Sequence, residues 1–243
     1  MILAQSELDK SRFVSLGASQ SKVVTIGNIK FDVNIKATIS PDIQHICALW
    51  GKDRIVLIAA STHDNEEQQW LEQLPKLQTA IPNFLLLIAP RHPDRFQTVY
   101  ALSQRLGFNT GLRSNLATIN AAVEVIVIDS IGELLGFYQT SDYAFVGGSL
   151  VSIGGHNVLE PIALGVPVLC GNYMHNSQAI CDALAAVEAV IMLPSAADLA
   201  DVIIKLVQNP MQRQQQIDNA SHILSINRGV IDKTMQYIDS AYI

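Results

Sequence analysis

What constrains this chain most is a recurring unit: a short, continuously apolar run, a polar turn, then a segment of helical period. Ile55–Ala60 (IVLIAA) leads through Ser61 into an amphipathic stretch carrying Trp70, Leu71, Leu74 and Leu77. Phe84–Ala89 (FLLLIA) leads through Pro93 into a helix-like segment reaching Leu106, and Val123–Ile128 (VEVIVI) precedes a helix over Ile131–Gln139. Tyr143–Val146 (YAFV) runs into a glycine-rich stretch and a helix over Asn157–Leu164. Val166–Cys170 precedes a helical run at Ser177–Ala186, and Ala189–Leu193 precedes helices that fill the remainder. Strands that are apolar at every position need cover on both faces, and the intervening helices supply it. The expected fold is therefore α/β: a Rossmann-like, doubly wound parallel sheet. Right-handed crossovers in such a sheet gather the functional loops at the carboxyl ends of its strands.

The first thirty residues fit this unit less well. They read as a helix near Ser6–Leu16, a strand at Lys22–Ile26 and a turn at Gly27-Asn28. Residues 1–30 are expected to be a connector, and residues 31–243 one Rossmann-like domain with carboxy-terminal helices. At 49% hydrophobic and 16% charged residues, the 243-residue chain is apolar enough to bury a substantial core.

A net charge of −6 and a pI near 5.4 exclude a general electrostatic hold on nucleic acid or an anionic membrane, so any anion needs a local site. Cys47, Cys170 and Cys181 show no CxxC or metal-ligand spacing, which suggests buried thiols in a reducing compartment. With Glu7, Asp9, Lys10 and Arg12 in its first dozen residues the chain is not expected to open on a signal peptide, and the longest apolar run, Phe84–Pro90, is far too short to span a bilayer. These features read as cytoplasmic. His45, His175 and His222 stand apart from any cluster and are expected to face solvent. Met174 and Met192 read as core or turn residues.

Four loops carry the chemistry. In Phe145-Val-Gly-Gly-Ser-Leu-Val-Ser-Ile-Gly-Gly-His-Asn157, a strand enters two glycine pairs ahead of a helix. Gly147, Gly148, Gly154 and Gly155 permit close backbone approach to a ligand, and the free N–H groups behind them suit an anion. Asn157 with Glu160 is also a capping-box pattern, but a cap does not need four glycines beside it. In Pro90-Arg-His-Pro-Asp-Arg95, Arg91 stands at a strand's carboxyl end and can fork onto a phosphate, whereas Arg95 is expected to pair with Asp94 or a helix carboxylate. Asp129-Ser-Ile-Gly-Glu133 is either a capping box, Ser130 with Glu133, or an open backbone for a base or ribose. After the first apolar run, His63 is either a donor in a site or a polar helix-start residue.

Together these stretches resemble the carboxy-terminal half of the Kdo transferases (lipid IVA 3-deoxy-D-manno-octulosonic acid transferases). The pieces are Ala4-Gln-Ser-Glu7, Gly27-Asn-Ile-Lys-Phe-Asp32, Ser61-Thr-His63 with Glu66-Glu67, and Pro90-Arg-His-Pro93 with Arg95. They continue as Gly132-Glu-Leu134, Phe145-Val-Gly-Gly-Ser-Leu150, Gly154-Gly-His-Asn157 and Leu159-Glu-Pro161, in the family's order across nearly the whole chain. The resemblance implies the carboxy-terminal half of a GT-B glycosyltransferase, an inverting enzyme that moves Kdo from CMP-Kdo to the lipid A precursor at the inner face of the inner membrane. It implies no metal and no cofactor. Its CMP contacts fall on Pro90 and Arg91, on Ile131, Gly132 and Glu133, and on Asn157, Val158, Leu159 and Glu160. His63, His92, Ser149, Gly155 and His156 are expected neighbours of the donor. The resemblance also implies that the chain is a fragment, lacking the acceptor domain with its membrane anchor and catalytic base, and so inactive alone. Asn65 stands where the family usually has glycine, and asparagine tolerates the left-handed backbone that glycine would supply. Two other classes remain alongside: a nucleotide-sugar epimerase of GT-B shape, and a nucleotide-binding module without a reaction of its own.

Overall fold

The computed structural model describes residues 1–32, 35 and 38–241 and divides into two compact units, Met1–Asn34 with Ser221–Ile243, and Ile35–Ala220. In chain order the first unit opens with β1 (Ile2–Ala4), α1 (Glu7–Ser15) and β2 (Val23–Thr25). The second contains α2 (Pro41–Trp50), β3 (Ile55–Thr62), α3 (Glu66–Ala80), β4 (Phe84–Pro90), α4 (Phe96–Arg105), β5 (Thr110–Leu112), β6 (Val125–Val127) and α5 (Leu134–Gln139). It continues through β7 (Tyr143–Val146), α6 (Leu159–Ala163), β8 (Val168–Gly171), α7 (Gln178–Ala185), β9 (Val190–Leu193) and α8 (Leu199–Gln208). The division at Ser221 falls within α9 (Pro210–Ile226), and α10 (Val230–Ala241) returns to the first unit.

The larger unit is built on seven parallel strands in the order β5-β6-β4-β3-β7-β8-β9. Its strands alternate strictly between two cores, as a pleated strand must. Leu57, Ala59, Leu86 and Ile88 pack with Trp70, Leu71, Leu74 and Leu77 of α3, Val99 of α4 and Ile203 of α8. Val56, Ile58, Ala60, Leu85, Leu87 and Ala89 pack on the other side with Ile43, Ile46 and Trp50 of α2 and with Phe137 and Tyr138 of α5. The expected parallel, doubly covered sheet is therefore observed. At its amino end Arg54 donates from Nε to the Asn83 carbonyl at 3.0 Å and from Nη1 to that of Ala121 at 3.0 Å. Its Nη2 donates to the carbonyls of Phe84 at 3.0 Å and Val123 at 2.7 Å.

In the smaller unit β1 and β2 pair in parallel, and Phe31 is buried. The Asp32 carboxylate accepts the backbone N–H of Gly229 at 2.6 Å and of Ile231 at 2.5 Å, serving the amino end of α10 from nearly two hundred residues away. A Cβ on Gly27 would stand 2.9 Å from the Val230 side chain. The Gly27–Asp32 stretch thus closes onto the last helix. The helices beyond Ser221 group with the first thirty-four residues, which differs from the expected division at residue 30. Three elements were not expected: β1 at the start of the chain, β5, three residues long with glycine at its centre, and α2, which begins with Ser40 accepting the Ile43 N–H.

Candidate functional site

From β3 the chain winds outward one way through β4, and it returns to the other flank of β3 with β7. The reversal lies between β3 and β7, where an open parallel sheet leaves a crevice at its carboxyl edge. The loop after β3 carries His63, that after β4 carries Arg91 and His92, that after β6 carries Ile131–Glu133, and that after β7 carries Gly147–Val158. All the sequence-derived candidates therefore converge on one edge.

The β3 loop is bent tightly. Ser61 and Asn65 take φ of +54° and +74°, so Asn65 does adopt the left-handed backbone expected of it. This bend delivers Glu66, fully buried at the start of α3, beneath the β7 loop. Its carboxylate accepts four backbone N–H groups: His63 at 2.9 Å, Gly148 at 2.7 Å, Ser149 at 3.0 Å and Leu150 at 2.9 Å. Burial pushes this carboxyl up from the ordinary glutamate range, and the four donors oppose the rise. Next to it, buried Glu67 accepts the Thr62 hydroxyl at 3.0 Å and pairs with Arg95 at 3.0 Å, while Arg95 also reaches Asp64 at 2.9 Å. Arg95 is thus held by helix-start carboxylates, as its alternative reading had it.

Above Glu66 the imidazoles of His63 and His156 point at each other edge to edge, their planes 3° from parallel, their centroids 5.0 Å and their Nε2 atoms 2.7 Å apart. His92 meets the His63 ring edge-on at 5.4 Å between centroids. Partial burial lowers the basicity of His156 to a pKa of about 4, and the nearby His63, Arg91 and His92 charges add to the effect. His63 is lowered as well, again chiefly by burial and then by His92, Arg91 and Arg95. Arg91 is exposed, and among the described residues its guanidinium has no hydrogen bond or ion pair, while its backbone N–H bonds the Thr62 carbonyl at 2.9 Å. Three imidazoles and an unpaired guanidinium thus gather at one point. Among the described residues no three His, Cys, Asp or Glu side chains are placed to hold a metal ion.

In the β6 loop Ser130 and Glu133 do not form a capping box. The Ser130 hydroxyl donates to the Glu133 carboxylate, which Arg113 grips with Nε at 2.7 Å and Nη2 at 2.6 Å. Arg113 holds this carboxyl below the usual range. The side chain of Glu133 is therefore committed to the protein, and what the loop leaves open is backbone. Gly132, at φ +88°, has no atom within 4 Å of where a Cβ would lie, and Ile131 is 81% exposed.

After β7 the helix starts at Leu159 and has only five residues, so individual N–H groups rather than a macrodipole make its anion affinity. Asn157 Oδ1 accepts the Leu159 N–H at 3.1 Å, and its Nδ2 donates to Glu160 Oε1 at 3.1 Å. The amide side chain caps the turn and at the same time holds the carboxylate in place. Val158 and Leu159 are buried, and the Leu159 N–H is already taken by Asn157 Oδ1. Ser149 is turned inward, its hydroxyl donating to the Val146 carbonyl and accepting the Gly171 N–H. Here the structure corrects the sequence reading: that hydroxyl serves the β7–β8 junction. The glycines are likewise needed for internal closeness. A Cβ at Gly147 would stand 2.5 Å from the Ser61 carbonyl oxygen, and one at Gly155 would enter the Met174 side chain. Gly148, at φ +68°, packs against the His63 and His156 rings, where a Cβ would stand 3.3–3.4 Å away.

Residues 51–222 match the model of group 1 glycosyl transferases, and residues 1–33 that of 3-deoxy-D-manno-octulosonic-acid transferases. The crystal structure of the C-terminal CMP-Kdo binding domain of WaaA from Acinetobacter baumannii superposes with a TM-score of 0.70 at 36% identity, covering 75% of this chain and 97% of that one. This chain belongs to the Kdo transferase family. A 3-deoxy-D-manno-octulosonic acid transferase from Haemophilus influenzae is 37% identical over 98% of this chain, which spans 56% of that relative's length. Anabaena HepE, solved with UDP-glucose, shares only the fold, at 14% identity over the whole of this chain and 63% of that one, with a TM-score of 0.58. The fold is that of the carboxy-terminal half of GT-B glycosyltransferases.

Within this Kdo transferase domain, Arg113 is a support of the site loops that sequence reasoning did not find, and Glu66 and Glu67, quoted above only as part of the resemblance, are supports to which it gave no role. Glu66 and Glu67 stand at an ordinary acidic helix start, and nothing local shows that one of them receives amides 82–84 residues away. No helix among the described residues is long and apolar enough to cross a membrane.

Proposed function

We propose that this chain binds the donor CMP-Kdo for an inverting glycosyltransferase that passes Kdo to lipid IVA, the lipid A precursor, at the cytoplasmic face of the inner membrane. The observation that carries this reading is an unpaired Arg91 on the same sheet edge as the open Ile131–Glu133 backbone and the Asn157-held Glu160. Arg91 and the backbone N–H groups of Asn157 and Val158 meet the phosphate, where donors are needed as CMP departs with its charge. In this reading they suffice without a metal or cofactor. Glu160 Oε2 accepts from the ribose hydroxyls, and the backbone from Ile131 to Glu133, with that of Pro90, faces the cytosine.

Most carboxylates at this edge are engaged: Glu66 and Glu67 are buried and bonded, Asp64 pairs with Arg95, Glu133 is held by Arg113, and Asp129 accepts the Ser114 N–H at 2.8 Å. The base that takes the acceptor's proton is therefore expected from a different segment of the enzyme, and this chain alone is expected not to turn over. Calorimetry tests the donor assignment directly. CMP is expected to bind and UDP to bind much more weakly, whereas equal affinities would remove the assignment.

A further inference from the structure

Beyond the nucleotide contacts, the edge holds a second group of polar side chains that the cytidine and phosphate do not require. His63 and His156 close over Gly148, where a Cβ would stand 3.3–3.4 Å from their rings, His92 meets His63 edge-on, and Arg91 stands within electrostatic reach of both His63 and His156. The charged and titratable groups facing the His63–His156 pair are Arg91, Arg95 and His92, with Glu66 below. Arg95 is already neutralised by Glu67 and Asp64, and the Glu66 oxygens are occupied by four N–H groups. Among the described residues no free carboxylate is recorded against the cluster, so the Arg91 charge beside it is uncompensated.

The pair is also constrained in protons. With Nε2 atoms 2.7 Å apart, one nitrogen must donate and the other accept, so the two rings share a single Nε2 proton. A second proton would set two donors against each other unless an acceptor with two oxygens came to both. A carboxylate is such an acceptor.

We propose, resting on the donor reading above, that His63, His156, His92 and Arg91 form a second anion subsite, which takes the carboxylate of an acid sugar while Arg91 also reaches the phosphate. Binding draws one proton from solvent onto the His63–His156 pair, leaving both Nε2–H groups to donate to the two carboxylate oxygens. The cluster thereby selects a sugar that is itself an acid over a neutral one, a discrimination that the nucleotide contacts cannot make. Free, the pair stays neutral, because its surroundings disfavour charge. The anion reverses that preference, so affinity for the acid sugar strengthens as pH falls.

The test uses the purified chain, CMP, a hydrolysis-resistant CMP-Kdo analogue, and the same analogue with its carboxylate replaced by carboxamide. The carboxylate analogue is expected to bind roughly tenfold or more tightly than the carboxamide. Its binding is expected to take up protons, as read by calorimetry in buffers of different ionisation enthalpy, and His156→Gln or His63→Gln is expected to bring the affinity ratio toward one. Equal affinity of the wild type for the two analogues overturns the subsite, and that comparison needs no variant to fold. A strong preference that both glutamine variants retain overturns the assignment to these imidazoles. If the wild type fails to bind CMP at all, the donor reading falls and the subsite with it, an outcome distinct from CMP binding without carboxylate preference.

Discussion

Two arginines stand at opposite ends of the same sheet and are used in opposite ways. Arg54, at the amino end, spends its donors on four carbonyls at the starts of β4 and β6, and partial burial lowers its basicity. Arg91, at the carboxyl end, keeps its guanidinium clear of every described partner. The carboxylates follow the same division in miniature: Glu66 is saturated by backbone, while Glu160 is steadied through one oxygen and leaves the other open. Here the amino edge of the sheet presents carbonyls to this arginine, and the carboxyl edge presents the loops that carry the candidates. The protein satisfies the first internally and leaves the second to a ligand.

The sharpest way to break this contrast is Arg54→Met. It takes the charged donor from the part-buried carbonyls of Phe84 and Val123, so urea unfolding should show a loss of about 3 kcal/mol with CMP affinity of the folded protein unchanged. Unaltered stability would mean that the amino edge closes without it. At the other end Arg91→Gln should leave the unfolding midpoint nearly still and weaken CMP by about 2 kcal/mol, the worth of a charge-assisted contact. Glu160→Gln should weaken CMP by about 1.5–3 kcal/mol and spare the melting temperature of the free protein. Its discriminating control is 2′,3′-dideoxy-CMP: the wild type should prefer CMP and the mutant bind both alike, and a wild type without that preference would reduce Glu160 to a partner of Asn157.

The smallest effect concerns pH. The folded pKa of His156, about 4, lies below its ordinary value of 6.5. A base depressed in this way supports the fold fully above the ordinary value, and that support is lost as pH falls through 6.5 toward 4. Melting temperatures followed over that window should decline less in His156→Gln than in wild type, and parallel declines would place the acid sensitivity elsewhere.

Much of this was legible from residue order alone. The runs from Ile55, Phe84, Val123 and Tyr143 became β3, β4, β6 and β7 because strands buried on both faces carry apolar residues without interruption. β5 was not legible, since Thr110-Gly-Leu112 has no run to see and owes its place to pairing with β6. α2 had a readable start in Ser40-Pro41 and a period in Ile43, Ile46 and Trp50, yet stands outside the alternation of apolar runs that organised the reading. At the site, Arg91, Gly132, Asn157 and Glu160 announced themselves by loop position. The division of labour between Glu133, spoken for by Arg113, and its own backbone depends on a side chain twenty residues earlier that no local pattern marks.

The Asp32 carboxylate at the head of α10 has a consequence for how the molecule is made. The smaller unit is assembled from two stretches separated by the 186 residues of Ile35–Ala220, and its helix acquires its cap only when both exist. During synthesis the larger unit has all its strands before Gly229 emerges. It can reach its native arrangement while Ile2–Phe31 still waits for its counterpart. Order of birth is thus written into the topology: the unit that carries the candidate site is finished first, and the unit that holds the chain's beginning is sealed last.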